Sequence, residues 1–175
     1  MKIAVYPGTF DPITYGHIDV ISKSLKIFDK VVVATTDNTD KDYFFSMDER
    51  IDIINKSLFK DLNFSKKKVQ VVSFSNLTIE LCKKYKASVI IRGLRAVSDF
   101  EYEFQLAGMN KKLNKLVETV FLMSDPENQI ISSKFVKEII ELKGDIRNIV
   151  SIFEFDFLFI PANWNSYSKS ETALK

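Results

Sequence analysis

The amino-acid sequence predicts an α/β fold: a Rossmann-like, doubly wound, five-stranded parallel sheet in a single domain. Five short runs are dense in Val and Ile with little polar alternation, which is typical of strands covered by helices on both faces. Helical patterns separate these runs, and no linker rich in Gly, Pro or Ser interrupts the alternation. The length of 175 residues is enough for one domain to bury a core of its own.

The elements follow one another in a regular order. The strand-like runs are Ile3–Tyr6, Val31–Thr35, Val69–Ser73, Ser88–Ile91 and Thr119–Met123. The helical patterns are His17–Phe28, Met47–Leu58, Leu77–Tyr85, Asp99–Leu113 and Ser132–Leu142. The first helix repeats apolar residues along one face, and the second begins after Ser46 with Glu49 at the spacing of a capping box. The last ends at Lys143-Gly144, a C-terminal stop signal.

The composition favours a globular protein and argues against several classes of partner. Hydrophobic residues make up 46% and charged residues 27% of the chain, with a formal net charge of +2. This mildly basic balance permits anionic ligands, but the lysine runs at 66–68 and 111–112 lack the interleaved aromatic residues of a single-strand binder. No apolar run approaches the roughly 20 residues that span a bilayer. We therefore expect no nucleic-acid partner and no membrane association.

Cysteine usage and the start of the chain predict a cytoplasmic protein. Cys82 is the only cysteine, so the chain cannot form an internal disulfide, and its apolar neighbours indicate a small core residue. The first strand follows Met1 and Lys2 at once, which leaves no room for a targeting peptide.

The segments that follow the predicted strands are the place to look for a ligand site, because ligands of open α/β sheets bind beyond the carboxyl ends of the strands. These segments read PGTF, TDNTDK, FSNLT, RGLRAVSDFEYE and SDPENQIISS. They contain Lys41, Arg92 and Arg95, and His17 follows shortly after the first of them. Cationic side chains gathered at one edge of the sheet predict a site for an anionic ligand.

Several kinds of chemistry lack their sequence signals. The chain contains no G-x-x-x-x-G-K-[ST] phosphate loop and no G-x-G-x-x-G dinucleotide fingerprint. One His and one Cys cannot form a His/Cys zinc cage, and no G-x-S-x-G elbow is present to expose a nucleophilic serine. Phosphoryl or nucleotidyl transfer remains, which proteins catalyse mainly by positioning and charge stabilisation.

The stretch Tyr6–His17, YPGTFDPITYGH, suits that chemistry. Gly8 lets the backbone approach a ligand closely, and Thr9 supplies a hydroxyl beside it. Gly16 and His17 begin a helix whose N-terminal amides attract phosphate. An imidazole there can donate a hydrogen bond to a phosphate oxygen in the transition state. The alternative is that His17 is a helix-start residue bonded only to the turn.

Three sequence blocks, taken in order, match known signatures. Thr14–His17 matches the [T/H]-x-G-H motif of the nucleotidylyltransferase superfamily. Ile131–Ser133 opens the second signature of that superfamily, I-S-S-x-x-[VI]-[RK], and IIRGLRAVSDFEYEFQLAGMN lies between the two. Together, these blocks resemble the phosphopantetheine adenylyltransferase family, and the resemblance runs from Lys2 to about Gly144. We therefore expect residues 1–152 to form the nucleotidylyltransferase domain and residues 153–175 to form a C-terminal extension.

The resemblance implies a reaction and its participants. The family transfers the adenylyl group of ATP to the phosphate of 4′-phosphopantetheine, giving 3′-dephospho-coenzyme A and pyrophosphate, by in-line attack without a covalent enzyme intermediate. It uses Mg²⁺ and typically assembles as a homohexamer. Coenzyme A is a further expected ligand, as a feedback inhibitor. No protein side chain is assigned to the metal, since the nucleotide phosphates and water would hold it.

The resemblance also assigns roles to individual residues. Those expected to bind ATP are Thr9, Phe10, His17, Gly93, Leu94, Arg95 and Glu103, together with the stretch Asn128, Gln129, Ile130, Ile131, Ser132, Ser133 and Lys134, which would close over the nucleotide. Those expected to bind the acceptor are Thr9, Lys41, Leu77, Thr78 and Arg92. The expected catalytic residues are His17, which would stabilise the transition state, and Lys41, which would bind phosphate.

For some residues, a purely structural role is the alternative to ligand binding. Arg92 and Arg95 could instead pair with Asp99 and Glu103 as surface charges. Tyr15 stands where the family usually has Asn, and the reason for this departure cannot be read from the sequence.

Two other functions stay open at this point. One is a different nucleotidylyltransferase, acting on nicotinamide mononucleotide or a polyol phosphate; RGLRAVSDFEYE together with the block around Thr9 argues against it. The other is a non-catalytic nucleotide- or coenzyme A-binding protein, which would be expected to have lost His17 or Lys41.

Overall fold

Five strands form one parallel sheet in the computed structural model, which describes residues 1–37, 43–95 and 97–151, without the side chains of residues 97 and 98. The strands are β1 (Ile3–Gly8), β2 (Lys30–Thr36), β3 (Val69–Phe74), β4 (Val89–Leu94) and β5 (Glu118–Met123). They pair in the order β3-β2-β1-β4-β5. This confirms the predicted fold class. Four of the five strands extend one to three residues beyond their predicted ends.

Helices alternate with the strands, as predicted, and two further helices follow the last strand. The helices are α1 (Tyr15–Ser24), α2 (Met47–Asn55), α3 (Thr78–Tyr85), α4 (Val97–Leu113), α5 (Pro126–Gln129) and α6 (Ser133–Glu141). The first helix ends four residues earlier than predicted, because Phe28 packs in the core after the chain has left the helix. The helix α5 was not predicted, because it is too short to show a repeat. The predicted helix Met47–Leu58 covers α2 and the first half of the π-helical segment Lys56–Asp61 that continues it. None of the helices in the described ranges is both long and apolar enough to cross a membrane.

Local signals at two helix ends act as predicted. The Ser46 backbone N–H donates to Glu49 Oε2 at 2.8 Å, and the Glu49 backbone N–H donates to Ser46 Oγ at 3.3 Å, which completes the capping box. At the end of α6, the left-handed residue is Lys143, with φ of 59°, rather than Gly144. Gly144 is needed for space, since a Cβ there would lie 2.6 Å from Ile139 Cγ2.

Alternate residues of the central strand face opposite layers of helices. Ala4 and Tyr6 belong to a buried cluster with residues of α1 and α2, whereas Val5 belongs to a second cluster with residues of α3. Cys82 lies in the second cluster, as predicted, and burial raises the pKa of its thiol to about 11. The sheet is therefore covered on both faces, which accounts for its continuous Val and Ile runs.

A third apolar cluster joins α6 to the chain that follows it. Val136, Ile146 and Val150 are fully buried together. Tyr15 packs against the first cluster, and its backbone N–H lies 3.4 Å from the Ile149 carbonyl oxygen, so this residue contacts both the core and the C-terminal segment. The predicted extension over residues 153–175 lies outside the described residues.

The two sides of β1 differ in how far they are paired. Pairing between β1 and β2 continues to Gly8 and Thr35, whereas pairing between β1 and β4 stops at Val5 and Ile90. Strand β4 runs on to Leu94 paired with β5 alone. The carboxyl ends of β1 and β4 are thus unpaired with each other at the point where the strand order reverses, which is where open α/β sheets bind ligands.

Candidate active site

A cleft of about 800 Å³ lies at the carboxyl ends of the strands, as the sequence predicts. It is lined by the end of β1, the start of α1, the end of β4, α4 and the region around the second signature. The predicted site residues that line it are Thr9, His17, Thr78, Arg92, Gly93, Arg95, Glu103, Ile131, Ser132, Ser133 and Lys134.

The other predicted residues that the structure describes do not line the cleft. Phe10 is 1% exposed and does not line the cleft, while Leu77, immediately before α3, is 58% exposed. Leu94, Asn128, Gln129 and Ile130 are also absent from the cleft wall. Lys41 lies outside the described residues, and its two expected roles stay predictions.

The turn after β1 is held in an unusual backbone conformation. Phe10 has φ of 46°, a region that a bulky side chain adopts at a cost. Its ring meets the rings of Tyr6 and His17 edge-on, at centroid distances of 5.4 and 5.2 Å. A Cβ at Gly8 would lie 2.8 Å from the Phe10 ring, so packing of that ring requires a glycine here, and Gly8 also lines the cleft. The expected close approach of a ligand to the Gly8 backbone stays a prediction.

The imidazole of His17 is held through one nitrogen. The backbone N–H of Thr14 donates to His17 Nδ1 at 3.0 Å, and Thr14 Oγ1 lies 2.9 Å from the same nitrogen. Because Nδ1 accepts a backbone proton, the neutral ring carries its own proton on Nε2. Nδ1 therefore bonds to the helix start, as one interpretation of His17 requires, and Nε2–H is left for the catalytic role that the other interpretation gives it.

The ring of His17 is neutral at physiological pH. Burial, followed by the positive charges of Arg95 and Arg92, lowers its pKa from the ordinary 6.5 to about 4. The site therefore contains an uncharged N–H donor flanked by cations, an arrangement suited to stabilising negative charge on a phosphate.

Arg92 is paired within the protein. Its Nε donates to Glu103 Oε2 at 2.6 Å, its Nη2 binds the other oxygen of the same carboxylate, and its Nη1 donates to the Pro7 carbonyl at 2.9 Å. Arg95 lies 3.3 Å from Asp99 through Nε and is more exposed. Both arginines thus form the ion pairs that the sequence offered as the alternative to ligand binding, and both also line the cleft.

The two signature motifs pack against each other. A Cβ at Gly16 would lie 3.1 Å from the Asn128 carbonyl oxygen, so the glycine allows the second-signature region to approach the start of α1. Ser133 Oγ donates to the Pro12 carbonyl at 2.8 Å, and Ser132 Oγ caps α6 by accepting from the Phe135 N–H at 3.2 Å. Both motifs therefore belong to one site.

An ion pair that was not predicted from the sequence lies at the edge of the cleft. Asp11 is 3% exposed and accepts hydrogen bonds from the backbone N–H groups of Phe44 and Phe45 at 3.0 and 2.9 Å. Lys137 Nζ donates to the same carboxylate at 3.1 Å, and both residues line the cleft. The signal was available, since Lys137 occupies the last position of the second signature, four residues after Ser133 on one helix face.

Arg50 was also missed. It is 1% exposed, and its Nη1 donates to the Thr9 and Thr36 carbonyl oxygens at 2.9 and 3.1 Å. Its position in α2, three and four residues before the buried Ile53 and Ile54, placed a charge on the apolar face of that helix. A charged residue on an apolar helix face needs buried hydrogen-bond partners, and this pattern could have identified Arg50 as a buried structural residue.

Comparison with known proteins agrees with this geometry. Residues 5–139 match the family model described as cytidylyltransferase-like. A phosphopantetheine adenylyltransferase of Pelagibacter ubique is 67% identical over 150 residues, covering 86% of this chain and 92% of that protein. One of Rhodospirillum rubrum is 49% identical over 149 residues, covering 85% and 86%. Among solved structures, the nicotinic acid mononucleotide adenylyltransferase of Plasmodium falciparum superposes with a TM-score of 0.68 at 18% identity, covering 90% of this chain and 94% of that chain, and shares the fold.

Proposed function

The chain belongs to the phosphopantetheine adenylyltransferase family, and on this basis we propose that it transfers the adenylyl group of ATP to 4′-phosphopantetheine. The products are 3′-dephospho-coenzyme A and pyrophosphate. Identity of 67% to a relative of that name supports this acceptor over nicotinamide mononucleotide or a polyol phosphate. The structural neighbour named for nicotinic acid mononucleotide supports only the shared fold.

The observation that carries the proposal is the neutral imidazole of His17, held in one tautomer inside the cleft. An oxygen of the acceptor phosphate attacks the α-phosphorus of ATP in line. The bond from that phosphorus to the α,β-bridging oxygen breaks, and pyrophosphate leaves with the electron pair. The acceptor phosphate is already a nucleophile, so neither a covalent enzyme intermediate nor a strong base is needed. The Nε2–H of His17 stabilises the negative charge that develops on the phosphate oxygens.

The cleft cations would orient the two substrates. Arg92, held by Glu103 and the Pro7 carbonyl, presents a planar guanidinium suited to the phosphate of 4′-phosphopantetheine. Arg95 and the second signature lie on the cleft wall, where they could contact the ATP phosphates. Phosphate binding by Lys41 stays part of the proposal without a structural observation.

Magnesium enters the proposal together with the nucleotide. Within residues 1–37, 43–95 and 97–151, no group of three or more His, Cys, Asp or Glu side chains is arranged to hold a metal ion. A Mg²⁺ ion held by the triphosphate and water fits such a site, since Mg²⁺ commonly keeps several waters and substrate phosphates as ligands. Bound in this way, the ion neutralises phosphate charge.

We also propose that the enzyme forms a homohexamer, the assembly that the resemblance implies. Large apolar side chains are exposed on and after α4, among them Phe100, Tyr102, Phe104, Met109, Leu113 and Leu116. Apolar exposure of this extent on one element is typical of an interface.

Coenzyme A shares the pantetheine arm of the acceptor and would compete for the same site. The cytoplasmic location stays a prediction.

Pyrophosphate release in the presence of ATP and Mg²⁺ tests the proposed reaction. We expect release with 4′-phosphopantetheine and none with pantetheine, which lacks the attacking phosphate. Nicotinamide mononucleotide and a polyol phosphate serve as rival acceptors in the same assay. Faster release with either rival, or no release with 4′-phosphopantetheine, contradicts the proposal.

A further inference from the structure

The hydroxyl of Tyr6 is buried without a hydrogen-bond partner in the described part of the chain. The residue is only 5% exposed, yet it lines the cleft. Buried hydroxyl groups are normally bonded, because leaving one unpaired loses the hydrogen bonds it makes to water. An unpaired hydroxyl at a ligand site therefore calls for an explanation.

The hydroxyl of Tyr6 lies near the ends of β1 and β4. Tyr6 is the first residue of β1 beyond the last pairing with β4, which ends at Val5 and Ile90. A Cβ at Gly93 of β4 would lie 3.2 Å from Val20 Cγ2 and 3.3 Å from Tyr6 Oη, so the glycine lets the hydroxyl approach β4 closely. Edge-on packing against Phe10 at 5.4 Å supports the ring. The hydroxyl is thus placed at the crevice where the strand order reverses.

The electrostatic surroundings make Tyr6 a donor to an anion. Burial raises the pKa of the phenol above its ordinary value, so the hydroxyl keeps its proton. Arg92 and Arg95 are the cations that act on it most strongly. The nearby carboxylate of Glu103 is occupied, since Arg92 binds both of its oxygens. A protonated hydroxyl beside two cations is suited to an anionic oxygen brought in by a ligand.

We propose that Tyr6 Oη is a substrate-contacting hydrogen-bond donor, which binds an anionic phosphate oxygen of a substrate lodged between the ends of β1 and β4. The identity of that substrate rests on the proposed function: the oxygen belongs either to ATP or to the phosphate of 4′-phosphopantetheine. The donor then acts alongside Arg92 and His17 from the floor of the cleft.

The variant Tyr6→Phe tests this role, because it removes the hydroxyl and keeps the ring. If the hydroxyl bonds only to substrate, kcat/KM falls by about tenfold to a hundredfold, as expected for a lost hydrogen bond to a charged group. The melting temperature of the free protein stays the same or rises, because an unpaired buried hydroxyl has been removed. Calorimetric titration with ATP and with 4′-phosphopantetheine identifies which substrate has lost affinity.

Tyr85→Phe is the matched control, since Tyr85 lies half-buried at the end of α3, away from the cleft. We expect its kinetics and melting temperature to match those of the wild type. Two results overturn the proposal: Tyr6→Phe kinetics within about twofold of the wild type, or a melting temperature that falls by several degrees together with activity. Failure of the proposed function is distinct, because the wild type itself would then release no pyrophosphate with 4′-phosphopantetheine.

Discussion

The guanidinium of Arg50 donates a hydrogen bond to the Thr9 carbonyl oxygen at 2.9 Å, joining α2 to the turn that follows β1. The same carbonyl oxygen accepts a hydrogen bond from Thr35 Oγ1 at 2.9 Å. Arg50 also reaches the carbonyl of Phe45 at 3.2 Å and forms an ion pair with Asp37. One buried side chain therefore joins three segments around the site.

Arg50→Met should destabilise the protein by about 2–4 kcal/mol, because the substitution removes the donor that the Thr9, Thr36 and Phe45 carbonyl oxygens share and breaks the ion pair with Asp37. Chemical denaturation measures the loss. Arg147→Met is the matched control: Arg147 is exposed, and its ion pair with Asp145 lies at the surface, where such pairs contribute little. A loss at Arg50 no larger than that at Arg147 would contradict the network described above.

NMR titration of the free protein should give His17 a pKa of about 4, well below the ordinary value of 6.5, because of burial and the adjacent arginines. The chain has one histidine, so its imidazole signals need no assignment. The nitrogen shifts should show the proton on Nε2, since Nδ1 accepts from the Thr14 N–H. A pKa near 6.5, or a proton on Nδ1, would disprove this arrangement.

The same pKa shift predicts how stability depends on pH. Between pH values of about 4 and 6.5, the unfolded state binds more protons at this histidine than the folded state does. The contribution of His17 to stability therefore rises with pH across that window and is constant above it. The variant His17→Gln should show a smaller rise over that window in denaturation experiments, and an unchanged slope would argue against the shift.

His17→Gln should also separate catalysis from structure. Gln at the third helical position can accept the N-cap N–H as Nδ1 does, so the helix start is retained. The rigid ring Nε2–H is replaced by the N–H groups of a flexible amide, which are not held in the same position, and kcat should fall by roughly 10²–10³-fold. The dissociation constant for ATP should change much less, because the donor acts mainly in the transition state. Loss of ATP binding with turnover of bound substrate preserved would show that the assigned role is wrong.

Gly16→Ala should weaken ATP binding and destabilise the fold by about 1–3 kcal/mol, because the new methyl group would lie against the Asn128 carbonyl oxygen, 3.1 Å away. Gly108→Ala provides the control. A Cβ at Gly108 meets nothing within 4 Å, and this position lies inside α4. That variant should gain roughly 0.5–1 kcal/mol through helix propensity. Equal effects at the two glycines would rule out close packing of the signatures.

Phe104→Asp should lower the mass of the assembly, measured by light scattering after gel filtration, if α4 forms the proposed interface. Phe104 is 62% exposed, so a charge there disturbs no core. Leu142→Asp, at a site 83% exposed just after α6, is the control and should leave the mass unchanged. A wild-type mass equal to a single 20.2 kDa chain would contradict assembly altogether.

Much of the fold and of the site location could be predicted because the signals are local. Runs of Val and Ile indicated buried parallel strands, and residues just after those strands had to meet at one edge of the sheet. The motif around His17 and the motif around Ser133 are each a single continuous stretch of sequence, so both could be recognised. The capping box of Ser46 and Glu49 formed as predicted for the same reason.

The sequence by itself determined the fold class, the edge of the sheet that carries the site, and the family resemblance. Only the tertiary structure decided the partners of the buried polar groups: Arg50 with Thr9 across 41 residues, Arg92 with Glu103, and Lys137 with Asp11 across 126 residues. The physical reason is that a buried charge must be satisfied by whichever group the packing brings within hydrogen-bond distance. The arrangement of strands and helices decides which groups come within that distance, and the number of residues between two groups does not predict it.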